Sequence, residues 1–121
     1  MGVELRLLIT KRADWLAHEQ LEMPTDSRMF NLLVEEANKN GFTVPKNGVH
    51  CYCARDKSGE TAYGAVTHDP YGSIIRGLNS HQIATVMTKF KDEYKDDWQF
   101  NSVFAFLQHI PAQNIIYLYF H

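Results

Sequence analysis

The chain has 121 residues, of which 12 are Lys or Arg and 14 are Asp or Glu, so its formal net charge is -2. A chain of this length predicts one domain, residues 1–121, with a core large enough to fold without disulfide or metal staples. Its basic residues are dispersed, which argues against binding to DNA or RNA. The longest apolar run, 115–120, is far shorter than the ~20 residues of a membrane span.

The first half of the chain alternates extended and helical patterns. Residues 3–10 have the period-two alternation of a strand with one buried face. Residues 11–24 have mixed polarity and are predicted to form a loop. Thr25 or Asp26 then offers an N-cap to a helix with apolar residues at helical spacing, which Gly41 ends.

The middle of the chain is rich in turn residues. Residues 49–54 and 61–67 flank a polar tetrapeptide at 56–59, which predicts a β-hairpin. A second turn follows at 69–72, where the order Asp-Pro-Tyr-Gly suits a tight reversal. Residues 73–76 are predicted to add a short strand.

The last part of the chain is apolar, and no charged side chain follows Asp97. Asn79 or Ser80 caps a second predicted helix, whose apolar stripe runs to Tyr94. A third helix is predicted at 101–109, before a terminal strand at 115–120. That strand lacks polar alternation, which is typical of an interior strand covered on both faces.

The order of these elements predicts an α+β fold: a mixed β-sheet packed with two to three helices, as a variant of the ferredoxin-like arrangement. The first and last strands are expected to be interior. Part of the apolar terminal segment could instead lie against another subunit, and we expect a homo-oligomer.

A cluster around the first hairpin strand invites a metal-site hypothesis. Cys51 and Cys53 share one face of a strand, and His50 precedes them, while His68 or His81 could supply further ligands. One residue between the cysteines is fewer than zinc sites prefer, and no second pair exists. We therefore predict packed or half-buried thiols, with no metal and no cofactor. Without a secretion signal, such thiols suggest the cytoplasm.

Catalytic signatures are weak. His68 beside Asp69 could orient a proton transfer, but adjacent residues on a strand normally point apart, so we interpret the pair as part of a turn. No catalytic residue is predicted. Aromatic rings together with a guanidinium are one means of holding a base and a phosphate. The predicted ligand-binding residues are Tyr52, Tyr63, His68, Asp69, Tyr71 and Arg76.

Three segments carry a family resemblance. The chain resembles small bacteriophage accessory proteins in three segments. These are the turn Asp-Pro-Tyr-Gly at 69–72, the segment Asn-Ser-Val-Phe-Ala-Phe-Leu at 101–107 and the ending Tyr-Leu-Tyr-Phe-His at 117–121. The resemblance covers about half of the chain and carries over no functional residue. The size and element order are also similar to those of phage S-adenosylmethionine lyases, but no residue of this sequence is assigned to their catalytic tyrosine or glutamate.

The resemblance implies an accessory protein of the host bacterial cytoplasm that acts against host defences. The leading hypothesis is a non-catalytic protein that sequesters a nucleotide-like small molecule or a host protein. Two alternatives stay open. One is a small enzyme that acts on a nucleotide or an S-adenosylmethionine-like metabolite through Tyr52, His68 or Asp69, and the other is a protein inhibitor of a host enzyme.

Overall fold

The computed structural model describes residues 3–11, 16–55 and 61–121, which form two β-sheets and three helices. The strands are β1 (Leu5–Thr10), β2 (Ala17–Glu22), β3 (Phe42–Thr43), β4 (Val49–Arg55), β5 (Thr61–Val66), β6 (Arg76–Leu78) and β7 (Ile116–Phe120). The helices are α1 (Ser27–Asn40), α2 (Ser80–Thr88) and α3 (Trp98–Leu107).

The larger sheet has the strand order β2-β1-β7-β6-β3, and the smaller sheet is the hairpin β4-β5. The α+β class predicted from the sequence is confirmed. Within the five-stranded sheet every pairing of named strands is antiparallel. An isolated parallel bridge joins Leu16, just before β2, to His50 of β4 in the smaller sheet. The β-α-β-β-α-β order of ferredoxin-like proteins is present in β1, α1, β3, β6, α2 and β7. Strand β2, the hairpin and α3 are additions, and β7 lies between β1 and β6.

Strand β7 is covered on both faces, as its unbroken apolar sequence predicts. Its even-numbered residues Ile116 and Leu118 pack against the helices. Its odd-numbered residues Tyr117 and Tyr119 pack against the hairpin. The molecule therefore has three layers, with the helices on one face of the five-stranded sheet and the hairpin on the other. Burial raises the pKa of the Tyr117 hydroxyl.

The helix starts follow their capping residues. Asp26 is the N-cap of α1, and its carboxylate accepts hydrogen bonds from the amides of Arg28 and Met29. Asn79 begins α2 in a reciprocal capping box with Gln82. The apolar stripe of the second helix predicts that it continues to Tyr94, but α2 ends at Thr88.

Two segments differ from the sequence prediction. The prediction of a loop over residues 11–24 is wrong for Ala17–Glu22, which form strand β2. This strand pairs with β1 in a register that sets Arg6 opposite Glu22. The short strand expected at 73–76 instead begins at Arg76 and runs to Leu78. The predicted turn at 56–59 lies outside the described residues. Within the described chain, no helix has the length and apolar character needed to cross a membrane.

Candidate functional site

A groove of about 650 Å³ lies on the helix side of the large sheet, between α1 and the turn at 69–74. Its floor includes Leu118 and Phe120 of β7 together with Arg76 of β6. Its size lies within the range of pockets that hold small molecules. The lining residues are Val3, Ser27, Phe30, Asn31, Val34, Ala37, Asn38, Asp69, Tyr71, Ser73, Ile74, Arg76, Leu118 and Phe120.

The rim of the groove gathers exposed apolar side chains from three separate parts of the chain. Val3 precedes β1, Val34 lies on α1, and Tyr71 and Ile74 belong to the turn. Tyr71 is 59% exposed and Ile74 is 50% exposed. Apolar side chains that cluster on a surface mark a binding site more often than scattered ones do.

Arg76 places a positive charge at this groove. It lies directly opposite Leu118 in the β6-β7 ladder, so its side chain is on the same sheet face as α1. It is half-buried. Within the described chain its guanidinium forms no ion pair and no side-chain hydrogen bond. A partly desolvated guanidinium with unfilled donors favours a carboxylate or phosphate ligand.

Asp69 builds the turn beside Arg76. Its Oδ1 atom accepts hydrogen bonds from the amides of Tyr71 at 3.0 Å and Ser73 at 3.1 Å. The Gly72 amide donates to the Asp69 carbonyl at 3.0 Å, and Gly72 has a φ of 87°. An L side chain is strained at that φ, so glycine suits the position. Asp69 therefore holds Tyr71 at the rim of the groove, and its carboxylate is engaged by the backbone.

Helix α1 contributes aromatic and amide groups to the opposite wall. Phe30 packs edge-on against Phe120, with ring centroids 5.6 Å apart. Asn31 and Asn38 are seven residues apart, which puts them two helical turns apart on the same side of α1. Their amides can donate and accept hydrogen bonds at the edge of a planar ligand.

Three of the six predicted ligand-binding residues, Asp69, Tyr71 and Arg76, come together at this groove. Tyr52 and Tyr63 do not line it. They contact each other on the hairpin, with ring centroids 6.3 Å apart, and the hairpin packs on the opposite face of the sheet. His68 is exposed, does not line the groove and has its Nδ1 atom 2.9 Å from Thr67 Oγ1.

Two of the residues weighed as metal ligands, Cys51 and His81, are separated by the large sheet. Cys51 is buried beneath the hairpin, whereas the side chain of Cys53 lies outside the described residues. His81 lies on α2, on the other side of the large sheet from Cys51.

A different group brings possible metal ligands together among the described residues. It consists of Glu4, Glu22 and His121, whose ligand atoms all lie within 4.8 Å of one another. Glu22 already accepts a 2.5 Å hydrogen bond from Arg6 and lies 3.2 Å from Nε2 of His121. Because His121 also directs Nδ1 toward Glu4, at 4.0 Å, its ring lies between two carboxylates. That arrangement suits a cross-strand charge network.

Sequence reasoning missed the α1 wall of the groove. The sequence pattern predicts an amphipathic helix here and assigns no binding role to its residues. No local pattern in α1 marks this role, because the groove depends on how the turn at 69–74 packs beside the helix. Comparison with protein-family models, with curated proteins and with solved structures finds no significant match to this chain.

Proposed function

We propose that this protein is a non-catalytic binding protein that captures a nucleotide-like anionic small molecule in the groove between α1 and the turn at 69–74. The observation that carries the proposal is the half-buried Arg76, which has no ion-pair partner within the described chain and opens on this groove. Burying part of a charge without a partner is unfavourable, and an anionic ligand would offset that cost.

The other groups of the groove suit the remaining parts of such a ligand. Tyr71 presents an exposed ring at the rim, on which a planar base could stack. Asn31 and Asn38 offer amides along α1, and Ser73 offers a hydroxyl. A mostly apolar groove with a few convergent polar groups is the usual composition of a small-molecule site.

The backbone hydrogen bonds that Asp69 accepts favour a binding role over a catalytic one. Its Oδ1 atom is held by two backbone amides of its own turn, so it is a poor candidate for a general base. Tyr52 and His68, the other residues considered for an enzyme, lie outside the groove. Sequestration without turnover is the mode of action that the resemblance to phage accessory proteins implies, and we propose it for this protein.

Isothermal titration calorimetry with cyclic, dinucleotide and ADP-ribose-derived nucleotides tests the proposal. We expect saturable heat for at least one member of the panel with the wild type. Arg76→Gln keeps much of the aliphatic stem but removes the charge, so it should weaken binding by at least about tenfold, equal to about 1.4 kcal/mol. Lys95→Gln removes an exposed charge outside the groove and should leave binding unchanged.

A matched aromatic pair sharpens this experiment. Tyr71 is 59% exposed at the groove and Tyr52 is 62% exposed on the hairpin. Tyr71→Ala should weaken binding, whereas Tyr52→Ala should not. Uniform absence of heat at high protein concentration, or equal losses in both tyrosine variants, would sink the proposal.

Capture of a host protein is a second candidate because the hairpin exposes a continuous aromatic surface. Its members are His50, Tyr52 and Tyr63, with ring centroids 6.1 Å apart for His50 and Tyr63. Exposed tyrosines are enriched at protein interfaces. A specific bacterial protein that co-purifies with the wild type and with Tyr71→Ala, but is lost in Tyr52→Ala/Tyr63→Ala, would support this candidate over the groove.

A further inference from the structure

The two oxygens of the Asp69 carboxylate are in different states. Oδ1 accepts hydrogen bonds from the amides of Tyr71 and Ser73. Within the described chain, Oδ2 accepts no hydrogen bond and forms no ion pair, and it still reaches solvent. Asp69 is only 9% exposed and lines the groove. A carboxylate oxygen with so little access to water favours a ligand that donates a hydrogen bond to it.

Asp69 and Arg76 lie at separate points of the groove. The Asp69 amide donates to the Ser73 carbonyl at 2.9 Å, so these two residues face each other across the turn. Arg76 is three residues beyond Ser73, which is about 10 Å along an extended chain. The two charged side chains, both in the described part of the chain, form no ion pair with each other. An anionic group is therefore attracted to the Arg76 end and repelled from the Asp69 end, which orients the ligand.

The ring of Tyr71 lies on the same turn as the free oxygen of Asp69. The Tyr71 amide donates to Asp69 Oδ1 at 3.0 Å, so the backbone fixes this tyrosine beside the carboxylate. A nucleotide with its phosphate at Arg76 and its base stacked on Tyr71 would direct the edge of the base toward Asp69. The ring and exocyclic N–H groups on that edge are donors, and carboxylates accept hydrogen bonds from such groups.

We propose that Asp69 is a specificity-determining residue of the groove, and that its Oδ2 atom accepts a hydrogen bond from an N–H group of a nucleobase. This inference rests on the proposed function, because it concerns the same groove. The ligand class is a nucleotide whose base carries an accessible N–H donor and whose phosphate lies at the Arg76 end. A base without such a donor leaves Oδ2 desolvated and unpaired, which costs binding free energy.

Calorimetric titration with matched pairs of ligands tests the inference. For each nucleotide that binds, the second ligand is the same nucleotide with the N–H groups of its base removed or methylated, for example purine in place of adenine. The wild type should bind the member with the donor at least about tenfold more tightly. The 2′-deoxy forms should show the same preference, because the donor belongs to the base and not to the ribose.

Asp69→Asn tests whether Asp69 is the acceptor. The Oδ1 atom of asparagine can still accept from the amides of Tyr71 and Ser73, so the turn is retained, but an NH₂ group replaces Oδ2. In this variant the ratio of the two affinities should fall to about one. The ratio does not depend on the fraction of folded protein. Asp96→Asn changes an exposed carboxylate outside the groove and should keep the wild-type ratio.

The outcomes separate this inference from the proposed function. The inference is overturned, and the groove remains a nucleotide site, if the wild type binds both members of each pair equally well. The same conclusion follows if Asp69→Asn keeps the wild-type preference, or if the preference disappears with the 2′-deoxy forms. Binding of no nucleotide at all overturns the proposed function and this inference together.

Discussion

The hydroxyl of Tyr94 donates a 2.6 Å hydrogen bond to Oδ2 of Asp26, the residue that caps α1. This bond joins the segment after α2 to the start of α1, across 68 positions of the chain. Arg28 donates to the same carboxylate oxygen at 2.8 Å and also pairs with Glu93. The buried carboxylate of Asp26 thus accepts hydrogen bonds from both Arg28 and Tyr94, in a network that ties the start of α1 to the segment after α2.

Tyr94→Phe removes one donor of this network and little volume. A hydrogen bond to a charged acceptor contributes about 1.5 to 3 kcal/mol, so the variant should lose free energy of unfolding in that range. Chemical denaturation followed by circular dichroism measures the loss. Tyr52→Phe, on the exposed surface of the hairpin, is the control and should change stability by less than about 0.5 kcal/mol. Equal stabilities of the two variants would contradict a structural role for the bond.

The same network predicts a stability loss in acid. The Arg28 side chain and, after it, the Tyr94 hydroxyl and the backbone amides hold the pKa of Asp26 well below its ordinary value of 3.8, against the opposing effect of burial. A depressed folded-state pKa stabilises the fold above the unfolded value, and this stability is lost as pH falls below about 3.8. Asp26→Asn should lack this component, so its stability should change less over that range in denaturant titrations.

Tyr94 also predicts a loss of folding stability at alkaline pH. Its hydrogen bond to Asp26, followed by burial, raises the pKa of Tyr94 from 10.0 to about 12. A raised pKa adds stability that is fully present below 10.0 and is lost as pH rises toward about 12. Tyr94→Phe should flatten the stability profile between these two values. If the variant's stability fell with pH as steeply as that of the wild type, a group other than Tyr94 would cause the alkaline loss of stability.

A side chain larger than that of glycine at position 77 is expected to clash with Ile115, just before β7, and with Tyr117 on β7. A Cβ atom at this position would lie 2.5 Å from Cγ2 of Ile115 and 3.1 Å from the ring of Tyr117. Gly77→Ala should therefore destabilise the protein by about 1 to 3 kcal/mol through overpacking. A double-mutant cycle locates the cause, because Gly77→Ala should cost less in an Ile115→Ala background. Additive losses would show that the crowding lies elsewhere.

The central position of β7 makes its removal drastic. This strand pairs with both β1 and β6. It buries side chains both in the core between the large sheet and the helices and in the core between the large sheet and the hairpin. We expect a protein truncated before Ile115 to lose cooperative unfolding altogether. A soluble truncated chain with a sharp thermal transition would refute the assignment of β7 to the core.

The described helices, the hairpin and β7 could be predicted because each pattern is local. Apolar spacing and capping residues such as Asp26 specify α1 without reference to the rest of the chain. Strand β2 could not be predicted, since Ala-His-Glu-Gln-Leu-Glu has no strand alternation and forms by pairing with β1. Its end is held by the ion pair of Glu22 with Arg6, a contact between residues 16 positions apart.

The candidate site was predicted only in part for a related reason. The turn residues Asp69 and Tyr71 and the nearby Arg76 are close in sequence, so their convergence is local. Tyr52 and Tyr63 are also close to the turn in sequence, but the hairpin packs on the opposite face of the sheet. Which face an element covers depends on tertiary packing, and the same is true of α1, which supplies the missing wall of the groove.

Native mass spectrometry with a mixture of nucleotides at equal concentration tests the groove most directly. We expect the wild type to retain one anionic nucleotide-class ligand, Arg76→Gln to lose it, and Lys95→Gln to retain it. Wild-type protein that carries no adduct, or an adduct retained equally by Arg76→Gln, would contradict the assignment of the groove between α1 and the turn at 69–74 as the binding site.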